Sequence, residues 1–243
     1  LTAEQHIGTV AQPVTSTIDI LDAYTENGHI YLQETNGLAL RDVQAGTNAV
    51  APGNGDITIR TLTGDVLAGY VIAAQDVVNI TADVGAIDEY GQDALPPNDV
   101  ADVIGATLNL VAGDHIGQKA AVLEIDASTE ANATSGGALG QDIVMTDTID
   151  DLPVGTIDAG LADVVLIADD SQDGGGAAAI TDAVDGNVDI TAADMNLTAN
   201  TGIGSGSIGE ATDLDVNVET LTARVLGVGP ISIDEVDTAI ITL

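Results

Sequence analysis

Leu110-Val-Ala-Gly-Asp-His-Ile-Gly117 has a counterpart on each side: Leu1-Thr-Ala-Glu-Gln-His-Ile-Gly8 before it and Leu197-Thr-Ala-Asn-Thr-Gly-Ile-Gly204 after it. The three align without gaps. Repetition of this kind marks a fold assembled from stacked supersecondary units. The residues C-terminal to each copy match as well. An alternating strand comes next, Thr17-Ile-Asp-Ile20, Leu123-Glu-Ile-Asp126 and Leu214-Asp-Val-Asn-Val218, and then a second, Gly28-His-Ile-Tyr-Leu32, Asp142-Ile-Val-Met145 and Gly229-Pro-Ile-Ser-Ile233. The middle copy carries an insertion at 128–137. Matching strands with connectors of variable length are what stacked coils with surface loops would give.

Between these blocks lie more strands of the same type: Asp56–Ile59, Val77–Thr81, Thr107–Leu110, Val164–Ile167, Asn187–Thr191 and Asp194–Thr198. Each is short, alternates apolar with polar residues, and is flanked by Gly, Asp or Asn. Alternation puts the aliphatic side chains on one face and Asp, Asn and Thr on the other. The pairs Gly55-Asp56, Gly64-Asp65 and Gly186-Asn187 read as corners, which need residues tolerant of left-handed backbone. No stretch carries a helical stripe. Gly176–Ile180 is long enough for no more than one helical turn.

The apolar residues are almost all Val, Ile, Leu and Ala; Phe and Trp are absent, and the four tyrosines are Tyr24, Tyr31, Tyr70 and Tyr90. A wide core or a ligand pocket ordinarily uses aromatic rings, whereas an all-aliphatic core suits a thin, layered interior. The expected fold is therefore all-β: a parallel β-helix, or β-solenoid, running through residues 1–243 as a single segment with repeat starts near 1, 110 and 197. Tandem β-sandwich domains are the alternative, since they too give short strands and regular turns.

The chain has 39 acidic and four basic residues, a formal net charge of −35. Nucleic acid and anionic membranes are excluded as partners, because phosphate binding requires clustered Lys and Arg. Such a surface repels itself unless salt or divalent cations screen it, which fits an extracellular or cell-surface setting. No run of about 18 apolar residues is present, so no membrane insertion is expected. There is no cysteine, hence no disulfide or thiolate metal site. The sequence opens at Leu1 inside a repeat and closes on Thr238–Leu243, a strand without a polar cap. The expected partners are therefore adjoining repeats of a longer chain, or further copies stacked end to end.

The corner Gly-Asp-Ile-Thr-Ile59 and the strands Asp-Ile-Thr-Ala192 and Leu-Thr-Ala199, the last followed by Ile-Gly204, resemble the filamentous-haemagglutinin-like repeats of large secreted bacterial adhesins. The run from Leu197 through Leu214–Ala223 to Ile231-Ser-Ile233 is particularly similar. The resemblance covers most of the chain. It implies a right-handed parallel β-helix, a secreted or surface location and a role as stalk or fibre, and it carries over no catalytic residue. The loops here are more acidic and irregular than the family's, and the family's amino-terminal secretion domain has no match in these residues.

Candidate chemistry is sparse, and no catalytic or cofactor-binding residue is assigned. His6 and His115 occupy the same repeat position and would form a pair on one side of a rod, yet a metal site needs at least three converging ligands. The acidic runs Asp147-Thr-Ile-Asp-Asp151 and Asp169-Asp-Ser-Gln-Asp173, the latter followed by Gly174–Gly176, offer the oxygen ligands that calcium takes. Neither matches a known calcium loop, so the metal ligands stay unassigned and calcium is a candidate, not a requirement. Gly202–Gly206 lacks the lysine and the helix of a phosphate loop. Asn79, Asn132 and Asn196 each fit the N-glycosylation pattern, with Asn132 expected in an accessible insertion. Lys119, the sole lysine, is a candidate for an isopeptide bond. The functional expectation is a non-catalytic structural segment of a surface fibre. The alternatives are a subunit polymerised by terminal strand exchange and an adhesin module recognising a carbohydrate or cell-surface ligand through clustered tyrosines.

Overall fold

The computed structural model describes residues 1–47, 55–91, 100–170, 176–184, 187–204, 212–236 and 240–242. Among the described residues the chain is all-β and contains no helix. Every ladder that joins two strands is parallel. The tandem-sandwich alternative requires antiparallel ladders, and none joins two strands among the described residues. Among the described residues antiparallel contact is confined to two isolated bridges, Thr9 with Gln12 and Gln118 with Ala121.

Parallel neighbours cannot be joined by a tight hairpin and need a crossover of a dozen or more residues. Here other strands make that crossover. The chain leaves a column, runs through further strands, and returns beside its earlier position after roughly 20–30 residues. One such column is Leu38, Val66, Ile87, Ile116, Ile143, Val164, Met195 and Leu221, each residue paired in register with the next. All eight are at most 2% exposed. A second column, Leu32, Ile59, Ile80, Leu110, Ala133, Ile157, Ile190 and Val216, is as continuous and as buried. The interior is therefore a stack of aliphatic ladders. Val, Ile and Leu fill it because β-branched side chains pack well against the same residue type one strand away.

The three Ile-Gly pairs of the repeat adopt one conformation. Ile7, Ile116 and Ile203 each bridge a parallel isoleucine, Ile30, Ile143 and Ile231. The glycines next in the chain, Gly8, Gly117 and Gly204, have φ of 73°, 62° and 62°. A Cβ at these positions would lie 2.4 Å from the Tyr31 carbonyl oxygen, 2.1 Å from that of Val144 and 2.1 Å from that of Ser232. Only glycine fits a left-handed corner pressed this closely on the neighbouring backbone.

One alignment is corrected. After the corner, the residue corresponding to Leu123 and Leu214 is Val14 and not Ile18, because Val14 pairs with Leu32 as Leu123 does with Met145 and Leu214 with Ile233. The expected insertion at 128–137 is also largely regular: the strand Leu123–Thr134 runs through most of it. Ala179–Asp182 is a strand where a helical turn had been the only helical candidate. Gly186 lies outside the described residues.

Long strands turn corners without ending. Val71–Ala82 pairs by its first residues with the strand Leu38–Gln44 and by its later ones with Ile57–Thr61. The register slips at the bend, as between Gly105 and Thr107. Alternation read as two separate strands, such as Asn187–Thr191 and Asp194–Thr198, is one bent strand from Ile190 to Ala199.

A polar ladder parallels the apolar ones. Asn79, Asn109 and Asn132 occupy consecutive register positions. The Asn109 amide donates to Asn79 Oδ1 at 3.0 Å, the Asn132 amide to Asn109 Oδ1 at 3.0 Å, and Asn79 Nδ2 to Thr58 Oγ1 at 3.2 Å. Asn132 Oδ1 accepts from the Thr156 N–H at 2.8 Å. Asn109→Ala removes a donor and an acceptor from the middle of this half-buried ladder and is expected to cost about 1–3 kcal/mol in urea unfolding. A loss no larger than that of a typical exposed residue would show that water replaces the ladder freely.

Candidate functional site

The aspartates before the strands have a structural task that composition does not reveal. At a corner the backbone N–H of the next strand in the stack needs an acceptor, and a short carboxylate supplies it. Asp56 Oδ1 accepts from Val77 N–H at 3.2 Å, Asp65 Oδ1 from Ala86 at 2.9 Å, Asp142 Oδ1 from Asp163 at 3.1 Å and Asp151 Oδ1 from Ala179 at 2.8 Å. Part of the acidity thus satisfies backbone donors at the corners.

The histidines fit the same scheme. His6 Nδ1 accepts from the His29 N–H at 3.1 Å, and His29 Nδ1 from the Asp56 N–H at 3.0 Å. His6 and His115, which share a repeat position in the sequence, are therefore not neighbours. The Ile7–Ile30 register stacks His6 on His29, with ring centroids 5.2 Å apart. His115 lies in another column, with Nε2 at 3.2 Å from Asp88 Oδ2.

The first acidic run does not converge. Asp147 stands in a column otherwise made of Val43, Val71, Val103, Ile125 and Ala168, and points into it. Burial pushes its carboxyl up to about 7, against the pull of the N–H groups of Ala127 and Ile149 that donate to it, with the Asp126 charge pushing further the same way. Asp151, by contrast, is a cap. Of the second run, Asp169 accepts from Asn200 Nδ2 at 3.3 Å and Asp170 from the Ala177 N–H at 3.1 Å; Ser171–Gly175 lie outside the described residues, as do Ser205 and Gly206.

Asn79 and Asn132, two of the glycosylation candidates, have their amides engaged in the ladder, and Asn132 sits in a strand, not an open loop. Asn196 is exposed. Lys119 forms an ion pair with Asp163 at 3.1 Å, and its ammonium is stabilised chiefly by that bond, with further support from the Asp163, Asp142 and Asp194 charges. Asp142, Asp163 and Asp194 are register neighbours of one column, so the single lysine pairs with one carboxylate of a stack and offsets part of its charge. Arg41 pairs with Asp22 and Arg60 with Asp83 across neighbouring strands in the same manner. The tyrosines do not form a ring cluster: Tyr31 leans on His29 at 5.7 Å, Tyr90 packs over Gly69, and no ring pair among the described residues joins two tyrosines.

One group was invisible in the sequence. Among the described residues, only Asp213, Asp215 and Asp234 bring three possible metal-ligand atoms within 4.8 Å of one another. Asp213 and Asp215 flank Leu214 at the start of one strand, and the Asp215–Asp234 register brings in Asp234 from the next. Beside them, burial pushes the Asp189 carboxyl up to about 7, opposed by the Asp215 N–H and reinforced by the Asp182, Asp215 and Asp213 charges. Comparison with known proteins adds no assignment: no family model, no curated protein and no solved structure matches this chain.

Proposed function

We propose that the chain is a right-handed parallel β-helix, a single β-solenoid segment of degenerate repeats, acting as a non-catalytic spacer in an extracellular surface fibre or adhesin stalk. The observation that carries this reading is the stacking of parallel strands into ladders eight residues deep on an aliphatic core. Strand-to-strand crossovers of this type are right-handed in about 98% of cases. Many side chains that a pocket enzyme would aim into a cleft are here engaged in the ladders: several Asp residues, His6 and His29 accept from backbone N–H groups, Asn79, Asn109 and Asn132 bond one another, and Arg41, Arg60 and Lys119 each pair with an Asp. Such an arrangement suits a spacer, because each added turn of chain repeats the same hydrogen bonds and lengthens the stack by one strand spacing. Its expected partners are adjoining repeats or further copies, end to end.

The test is electron cryomicroscopy of the native, unproteolysed material. The expected result is a slender object whose power spectrum has a layer line at about 4.8 Å along its long axis. A compact particle, or a fibre showing only a larger subunit repeat, would overturn the spacer reading.

A further inference from the structure

Two features surround the Asp213, Asp215 and Asp234 group that neither capping nor the core explains. The first is Ser232. The pairing of Leu214 with Ile233 places Ser232 beside Asp213 on the neighbouring strand. Its hydroxyl belongs to a residue only 3% exposed and has no hydrogen-bond partner among the described residues. The second is Asp189, which the Ile190–Val216 pairing sets against Asp215 from the opposite side. It is 1% exposed; Oδ2 accepts from the Asp215 N–H at 2.8 Å, while buried Oδ1 has no partner among the described residues. Buried polar atoms are overwhelmingly satisfied in folded proteins. Like charges facing each other on neighbouring strands destabilise a sheet. Here three carboxylates face one another, flanked by two buried oxygens without a hydrogen-bond partner among the described residues.

The geometry points to a calcium site formed by the carboxylates of Asp213, Asp215 and Asp234, with the Ser232 hydroxyl and Asp189 Oδ1 turned toward the ion or its water shell. Calcium binds six to eight oxygens at about 2.3–2.6 Å, so two ligands of one ion stand no more than about 5 Å apart. The 4.8 Å limit within which the three carboxylates lie meets that requirement. The donor set is oxygen only, which disfavours zinc and the softer metals. Three carboxylates also exceed the one or two that magnesium takes while keeping its water. An ion here would join the strands Leu214–Val225 and Ile233–Glu235 and relieve the repulsion between them.

The test is calorimetric titration of calcium chloride into the chelator-treated 243-residue chain, in about 0.15 M sodium chloride so that diffuse binding to the acidic surface is screened. The expected result is one saturable calcium site per chain, weaker binding of magnesium, and a calcium-dependent rise in melting temperature. Asp215→Asn and Asp234→Asn should each weaken calcium binding at least tenfold, while Asp19→Asn, an exposed residue of another strand connection, leaves it unchanged. The wild-type titration does not depend on how the variants fold. Absence of a saturable wild-type site, or a wild-type isotherm in folded Asp215→Asn and Asp234→Asn, would overturn the inference. The 4.8 Å layer line does not depend on this ion, so the site and the spacer reading fail separately.

Discussion

Gly117→Ala is expected to lower the stability of the chain by about 3 kcal/mol or more, whereas Gly140→Ala costs only about 1–2 kcal/mol. Both glycines have positive φ, 62° and 83°, and any side chain in that left-handed region costs about 1–2 kcal/mol. Their surroundings differ. A Cβ on Gly117 would meet the Val144 carbonyl oxygen at 2.1 Å and the Leu123 nitrogen at 2.8 Å, and one on Gly140 would meet nothing within 4 Å. The atoms met at Gly117 are backbone, held in place by the Val144 N–H bond to the Ile116 carbonyl at 2.7 Å and by the Leu123–Met145 pairing. They cannot rotate away as a side chain would, so relief requires opening the ladder, an overpacking cost of about 1–3 kcal/mol. Urea midpoints of the two variants, with m-values to confirm that the same surface unfolds, separate the contributions. Equal losses would mean that φ alone matters and that the corner has room to spare.

The same corner shows how much of the fold the sequence discloses. Three Ile-Gly pairs in matching context take a similar left-handed corner, and alternation around them gives strands, though not their lengths, because aliphatic and polar side chains must take opposite faces of a β-strand. Register is not legible. The distance from the corner glycine to the next paired residue is the same from Gly8 to Val14 as from Gly117 to Leu123, but longer from Gly204 to Leu214. Ile18, which looks the better match by residue type, is exposed. Chain corners inside a strand leave no mark either, since Val71–Ala82 keeps its bonds through the bend.

Sites suffer more from this than the fold does. Stacking brings together residues one circuit apart, and the number of residues in a circuit varies with its connectors. His6 therefore meets His29 and not His115, and Asp215 meets Asp234 while the contiguous run at 147–151 scatters inward and outward. Dense acidity misleads for a related reason. It reads as a solvated or calcium-binding surface, yet several of these carboxylates face the N–H of the next strand, an arrangement with no signature beyond an Asp before an aliphatic residue.

Asp147 should make the chain less stable as pH rises from about 5 to about 8, with Asp147→Asn abolishing most of that dependence. Its folded carboxyl titrates at about 7 against a reference of 3.8, because it occupies an aliphatic position in a buried column. Between those values the folded chain holds a proton that the unfolded chain has lost, so the contribution is fully present below about pH 4 and is lost as pH rises through 7. At about 1.4 kcal/mol for each pH unit between the two values, the upper limit is about 4 kcal/mol. Self-repulsion at high net charge acts in the same direction, which is why the variant and not the wild-type profile alone is decisive. Glu34 opposes it only at lower pH. Burial raises the Glu34 carboxyl, but bonds from Ser16 and the N–H groups of Ile18, Thr35 and Asn36 outweigh that and hold it below its ordinary value, so its contribution is lost only under more acid conditions. Asparagine keeps one oxygen for the backbone donors but loses the other. Asp147→Asn should thus melt below wild type at about pH 5, with the gap closing or reversing by about pH 8, where wild type carries a buried charge. Thermal melts at both pH values check this. Parallel profiles for the two proteins would show that Asp147 stays ionised in the fold and that its backbone donors outweigh the apolar column around it.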